Sequence, residues 1–218
     1  MKLGVFLPGR LNSQRLPNKL MLPIGDYSLW EIGVRKLASL PSKYQRTVLV
    51  SDEDKLLVEI AEKYPNVSIT YRDKETMVDG DLDLIYRNIS DMKATHVMWL
   101  NGCLPLLRTE TIIRALTEFE VKEHSYMESV KPFRNWVYDK KGKAVNPINY
   151  KRMSTKELDE WYLDANAFRV FDKEKFLKDG HMIKEGHAVY PISEIEAIDI
   201  DTPEDYLVAK AVFERMVF

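Results

Sequence analysis

The chain has 218 residues, 34 acidic and 32 basic side chains, and a formal net charge of -2. That balance gives no global attraction to nucleic acid or to an anionic membrane, so a polyanion would have to be bound locally. A hydrophobic content of 45% excludes disorder, and the single cysteine, Cys103, excludes an intrachain disulfide and a structural zinc–cysteine site.

Strand and helix signals alternate through the first half. Leu3 to Leu7 is an apolar run of strand length. Ser28 is placed to cap a helix through Leu40, with Leu29, Ile32, Val34, Leu37 and Leu40 largely on one face. Thr47 to Val50 reads as a buried strand, and Ser51 or Asp52 as the cap of a helix that buries Leu56, Leu57, Ile60 and Ala61. Val67 to Tyr71 is a third strand, Asp81 to Met92 a helix and His96 to Leu100 a fourth strand. Thr109 to Phe119 is another helix. From about Glu128 to Tyr162 the rhythm breaks. This aromatic, basic stretch reads as an insertion, with a hairpin pairing Asn135–Tyr138 with Lys143–Val145. Strands follow at Ala167–Phe171, Ala188–Ile192 and Ala197–Ile200, and Asp201 or Thr202 caps a last helix with Pro203 at its first position. The expectation is a single α/β domain over residues 1–218 with segment 128–162 inserted, and a mostly parallel sheet with helices on both faces. Ligands then bind at the carboxyl ends of the strands.

No apolar run approaches the roughly 20 residues of a membrane span. Arg10 and Arg15 interrupt the N-terminal apolar stretch before a signal-peptide core can form. The cytoplasm is the expected compartment.

Two motifs carry chemistry. The first is the loop after the first strand, Leu7-Pro8-Gly9-Arg10-Leu11-Asn12-Ser13-Gln14-Arg15-Leu16-Pro17-Asn18-Lys19. Three cations and a serine following an apolar strand suit a polyphosphate, because guanidinium groups grip phosphate oxygens bidentately and an ammonium adds a point charge. It is neither a Walker A loop nor a dinucleotide fingerprint. A solvated basic face is the competing reading. The strand-to-loop context and the acidic motif downstream favour the cradle. The second motif is Ile198-Asp199-Ile200-Asp201-Thr202-Pro203-Glu204-Asp205. Asp199 and Asp201 share a face of an extended segment, and two such carboxylates are costly to ionise together without a cation between them. Magnesium suits them, being held by one or two carboxylates plus substrate phosphates. Asp205 reads as a helix-capping residue.

Together these two motifs resemble the cytidylyltransferases that activate 3-deoxy-ulosonic acids, namely the CMP-sialic acid and CMP-Kdo synthetases. The resemblance covers most of the chain, including Val48-Leu49-Val50-Ser51-Asp52 and the strand ending at Asn101. It implies a nucleotide-sugar transferase (GT-A-like) fold, CTP as donor, a small acidic sugar as acceptor, Mg2+ as cofactor and a homodimer built by the inserted hairpin. By the same match, Leu7, Gly9, Arg10, Ser13, Arg15, Lys19 and Asn101 bind the nucleotide. Arg10, Arg15, Lys19, Asp199 and Asp201 serve catalysis, with Asp199 and Asp201 holding the metal. Arg152 and Tyr162 are the acceptor candidates, with Lys151, Arg134 and Phe168 beside them, and each also fits a basic surface, a core or a dimer face. Cys103 stands about where Kdo enzymes carry a metal-binding aspartate, and a thiol is a poor magnesium ligand. Asn101 stands where sialic acid enzymes carry a glutamine. Arg15 and Leu16 are closer to the Kdo pattern. Gly80 to Arg87 is similar to a group of spore-coat and glycan cytidylyltransferases. The acceptor therefore stays open. The alternatives are transfer to a sugar phosphate or phosphonate, with CTP or another nucleotide, or a silent nucleotide-binding relative.

Overall fold

A computed structural model describes residues 1–11, 13–77, 81–148, 151, 155, 156 and 158–216. Leu3–Pro8 forms β1. After the basic loop come a 3-10 turn, Lys19–Met21, and a small ribbon of β2 (Pro23–Ile24) and β3 (Tyr27–Ser28). Helix α1 covers Leu29–Ala38, and its Ser28 cap accepts from the Glu31 N–H at 3.1 Å. Then follow β4 (Gln45–Val50), α2 (Lys55–Glu62), β5 (Ser68–Tyr71), the short α3 (Leu82–Ile85), β6 (His96–Leu100) and α4 (Thr109–Val121). The second half holds β7 (Tyr126–Phe133), β8 (Trp161–Asp172), α5 (Lys173–Asp179), β9 (Ala188–Pro191) and α6 (Pro203–Arg215).

Seven strands make one sheet in the order β5-β4-β1-β6-β8-β7-β9. β8 runs antiparallel to both of its neighbours, β6 and β7, and the other ladders are parallel. Alternation along β1 sends Leu3, Val5 and Leu7 to one face, where α1, α2 and α4 pack, and Phe6 to the other, where Phe171, Phe176 and Ile89 pack. The expected mostly parallel sheet with helices on both faces is what forms. No helix among the described residues is long and apolar enough to cross a membrane.

Four elements differ from expectation. The helix expected over Asp81–Met92 breaks at Tyr86 into α3 and a 3-10 turn, Arg87–Asp91. Asp54 rather than Ser51 or Asp52 precedes α2, the Ser51 hydroxyl instead accepts from the Glu53 N–H, and Leu56 is exposed rather than buried. Ala197–Ile200 is not a strand. Ala197 N–H donates to the Ser193 carbonyl at 3.0 Å, and buried Glu196 binds Arg108, Thr111 and Ser193, so the chain turns over residues 194–197 and continues through 198–200 outside any strand. The ends of segment 128–162 belong to the main sheet, with Glu128–Phe133 in β7 and Trp161–Tyr162 in β8. The hairpin beyond β7 closes through Asp139 and Lys143 with an isolated Tyr138–Ala144 bridge.

Candidate active site

The basic loop leaves the sheet where β1 passes under α1. Gly9 N–H donates to the Leu49 carbonyl at 2.9 Å. A Cβ on Gly9 would lie 2.7 Å from two ring carbons of Trp30, so only glycine lets the chain turn this close to the helix. Leu7 is fully buried, so its side chain serves the core and only its backbone can face a ligand. Asn18, with φ of 53°, reverses the loop into the 3-10 turn that carries Lys19. Asparagine tolerates this left-handed conformation better than most residues.

Lys19 and Arg15 then meet the acidic motif. Lys19 Nζ and Arg15 Nη2 each lie 2.9 Å from Asp201 Oδ1. Lys19 is only 12% exposed against 69% for Arg15, so the lysine pair is the stronger and the arginine pair is largely screened. Burial opposes the Lys19 charge, but Cys103 and Asp201 outweigh it and hold its pKa above that of a free lysine. Cys103 is protonated up to about 11, because burial pushes the thiol up, so at neutral pH Asp201 supplies the attraction. The same burial makes Cys103 a poor nucleophile.

Asp205 caps α6. Its Oδ2 accepts from the Asp201 N–H, the Thr202 N–H and the Thr202 hydroxyl, while the Thr202 hydroxyl accepts from the Asp205 N–H. This capping box fixes the start of the helix and leaves Asp201 facing the loop.

Asp199 sits deeper. Its Oδ2 accepts from Asn101 Nδ2 at 3.1 Å and Asn166 Nδ2 at 3.0 Å. Its Oδ1 is buried without a hydrogen-bond partner among the described residues. Burial raises the pKa of Asp199, and the neighbouring Asp201 charge adds to the effect against the Asn166 bond. A buried carboxylate oxygen left open beside a second carboxylate is a position that a hard divalent cation would satisfy. Among the described residues no cluster of three or more His, Cys, Asp or Glu could hold a metal. A cation here would therefore draw on these two acids and on ligand oxygens.

Pro8, Arg10, Ser13, Lys19, Asn101 and Cys103 line a cleft of about 110 Å³ at the carboxyl ends of β1 and β6. Two hydrogen bonds tie the cleft's floor together: Cys103 N–H donates to the Asn101 side-chain oxygen Oδ1, and Ile200 N–H to the Cys103 carbonyl. A larger cavity of about 340 Å³, lined by residues including Tyr27, Lys36 and Arg108, holds none of the expected site residues.

Of the expected site residues, Arg10, Ser13, Arg15, Lys19, Asn101, Asp199 and Asp201 gather at or beside this cleft. Tyr162 is not in its lining: it lies on β8, 42% exposed, and donates to Glu160 Oε1 at 3.1 Å. Arg152 lies outside the described residues. Two residues were not foreseen. Asn166 reaches Asp199 from a distant strand, and the only hint was polar Asp164 and Asn166 interrupting an apolar strand. Arg72, buried after β5 and bonded to Thr76, has its pKa lowered by burial and then by the nearby Arg10 charge.

The cytidylyltransferase family model matches residues 5–218. The chain belongs to the cytidylyltransferase family. It is accordingly a CTP-dependent nucleotidyltransferase, as the two motifs implied. This cytidylyltransferase is 22% identical over 229 residues to a pseudaminic acid cytidylyltransferase of Campylobacter jejuni subsp. jejuni, covering 98% of this chain and 97% of that protein. It is 24% identical over 234 residues to a CMP-N,N'-diacetyllegionaminic acid synthase of Legionella pneumophila subsp. pneumophila, with the same coverage of 98% and 97%. A solved structure of CMP:2-keto-3-deoxy-manno-octonic acid synthetase complexed with CTP superposes over 100% of both chains with a TM-score of 0.71 at 13% identity. A 4-diphosphocytidyl-2C-methyl-D-erythritol synthase from Anaerococcus prevotii gives 0.65 at 15% identity, covering 98% of each chain. At these identities the two solved structures establish the fold alone.

Proposed function

We propose that this cytidylyltransferase transfers CMP from CTP to a hydroxyl of a 3-deoxy-ulosonic acid of the sialic, Kdo or related nonulosonic type, for glycan assembly. Pyrophosphate is the second product. The observation that carries the reading is the meeting of Arg15 and Lys19 with Asp201, beside the open oxygen of Asp199, at one cleft. The names of the full-length Campylobacter and Legionella relatives support a nonulosonic acceptor.

In this reading Arg10, Arg15, Lys19 and Ser13 hold the β- and γ-phosphates of CTP. The acceptor hydroxyl attacks the α-phosphorus in line, the α–β anhydride bond breaks, and the hydroxyl proton passes to solvent. The cradle binds the departing pyrophosphate. The protein's contribution is positioning and charge stabilisation, with no covalent intermediate. Asp199 and Asp201 fit magnesium, which when bound neutralises charge on the phosphate oxygens. Asn101 orients Asp199 from the floor of the cleft.

The working form in this reading is a homodimer. Trp161, Tyr162 and Leu163 are three consecutive large apolar residues exposed by 40%, 42% and 41% on the part of β8 that pairs with the end of β7, an unusual apolar surface for a monomer. Light scattering should give twice the 25.5 kDa chain mass. A single-chain mass would remove the dimer from the account.

The test of function is pyrophosphate release with CTP and magnesium against sialic, pseudaminic, legionaminic and Kdo-type acids, with UTP and GTP as donor controls. Turnover of CTP with one of these acids supports the reading. Turnover only with a phosphorylated or phosphonate acceptor would replace it.

A further inference from the structure

β8 does not run evenly against β7. Glu128 pairs with Arg169 and Val130 with Asp164, so two steps along β7 oppose five along β8. The surplus backbone forms a bulge at Ala165–Phe168. Bulges of this kind re-aim side chains and concentrate beside active sites.

This bulge is closely held. The buried Ser129 hydroxyl accepts from the Ala167 and Phe168 N–H groups, each at 3.0 Å. Asn166 takes a left-handed backbone with φ of 50°. Its N–H donates to Asp164 Oδ1 at 2.6 Å. Arg169 clamps the other side. Its Nη1 donates to Asn166 Oδ1 at 3.2 Å, its Nη2 to Asp164 Oδ2 at 2.5 Å and its Nε to Glu128 Oε1 at 2.7 Å. The second Glu128 oxygen lies 3.2 Å from His187 Nε2.

The clamp decides which way the Asn166 amide points. A cation at Oδ1 and a carboxylate at Nδ2 are compatible with one orientation only. Nδ2 is thereby aimed at Asp199 Oδ2. Asn101 donates to the same oxygen from the end of β6, and its own amide is fixed by accepting from the Cys103 N–H. Two amides from two strands thus pin one oxygen of Asp199 and leave the other, Oδ1, buried and open. Neither amide carries charge, so the negative charge of the carboxylate is not neutralised.

We infer that Asn166, held by the β8 bulge and the Arg169 clamp, is a positioning residue that turns the Asp199 carboxylate so that Oδ1 is presented to the divalent cation. The inference rests on the metal reading proposed above. Partners that orient a ligating carboxylate are worth about 10- to 100-fold in metal affinity.

The test is Mn2+ binding in the presence of CTP, followed by electron paramagnetic resonance, in the wild-type protein and in Asn166→Gly. Glycine keeps the left-handed backbone and removes only the amide. Asn166→Gly should bind Mn2+ about 10- to 100-fold more weakly, and the magnesium concentration for half-maximal activity should rise by a similar factor. Its thermal midpoint should stay near that of the wild type. Arg169→Lys, which keeps the charge and loses the fork, should move Mn2+ affinity in the same direction by a smaller factor. Wild-type Mn2+ affinity in Asn166→Gly would overturn the inference and leave the metal site standing. Failure of the wild-type protein itself to bind Mn2+ with CTP would overturn the metal assignment and the inference together.

Discussion

At the residue scale the site turns on Asp199. It is half-buried, with one carboxylate oxygen buried and short of a hydrogen-bond partner and its pKa held up, all of which cost stability unless the group has work to do. Asp199→Asn keeps the shape and removes the charge. We expect kcat for pyrophosphate release to fall by at least about 100-fold, the scale seen when one preorganised electrostatic group is removed. A cooperative melt near the wild-type midpoint would separate that loss from unfolding.

Glu196 gives a prediction in pH. Burial opposes its charge, yet bonds from Arg108, Thr111 and Ser193 outweigh it and lower its pKa from 4.5 to about 2. A depressed carboxylate pKa means that the unfolded chain binds more protons as the medium is acidified. The contribution of Glu196 is therefore present above pH 4.5 and lost as pH falls towards about 2. Urea midpoints measured across that range should fall steeply for the wild type and less steeply for Glu196→Gln. Equal slopes would remove Glu196 from the acid response.

What the sequence could disclose at this scale was charge type and order. Arg10, Arg15, Lys19, Asp199 and Asp201 stand in two short motifs with few alternative uses. Asn166 was not legible, because its partner lies 33 residues away and a neutral amide in a strand carries no signature. Tyr162 was read as an acceptor residue from its ring and its place in the Tyr162–Phe168 segment, with a core or dimer face as the competing reading. The structure puts it on the exposed part of β8 beside Trp161 and Leu163.

At the scale of elements, the bulge is where local sequence and tertiary pairing disagree. A uniform β8 would align with β7 throughout; instead Ser129 takes up two N–H groups that the ladder leaves free. Ser129→Ala strands both in a fully buried setting. The expected cost is about 1–3 kcal/mol in urea unfolding. Because the bulge carries Asn166, the variant should also need more magnesium for half-maximal activity. An unchanged unfolding free energy would mean that water or a relaxed backbone replaces the serine.

The misread elements share a cause. Ala197–Ile200 has strand-like residues, but Glu196 is captured by Arg108 and Thr111 from the start of α4, which winds the chain just upstream. The Asp81–Met92 helix breaks at Tyr86, whose ring packs edge-on against Phe6 and whose hydroxyl accepts from Trp99 Nε1. In both places long-range contacts override local periodicity. Elements with their own signals were legible. Ser28 and Thr202 cap their helices through side-chain bonds that the sequence pattern anticipates.

For the whole molecule, the order of elements fixed more than their boundaries did. Alternation of strands and helices led to the parallel half of the sheet, and that half brings the ends of β1 and β6 together over one cleft. The antiparallel β8 was expected only as a short strand, yet it spans Trp161–Asp172 and supplies both Asn166 and the exposed apolar residues Trp161, Tyr162 and Leu163. Strand direction and length beyond the core depend on pairing partners, which single-sequence periodicity does not encode.

CMP transfer requires cleavage between the α- and β-phosphates of CTP and a free hydroxyl as acceptor. Phosphorus NMR of the reaction with CTP, magnesium and the best nonulosonic acid tests it most directly. The expected spectrum holds one phosphodiester signal from the CMP-linked acid and an equal amount of pyrophosphate. A diphosphate-linked product formed only from a phosphorylated acceptor, or release of CDP with inorganic phosphate, would contradict it.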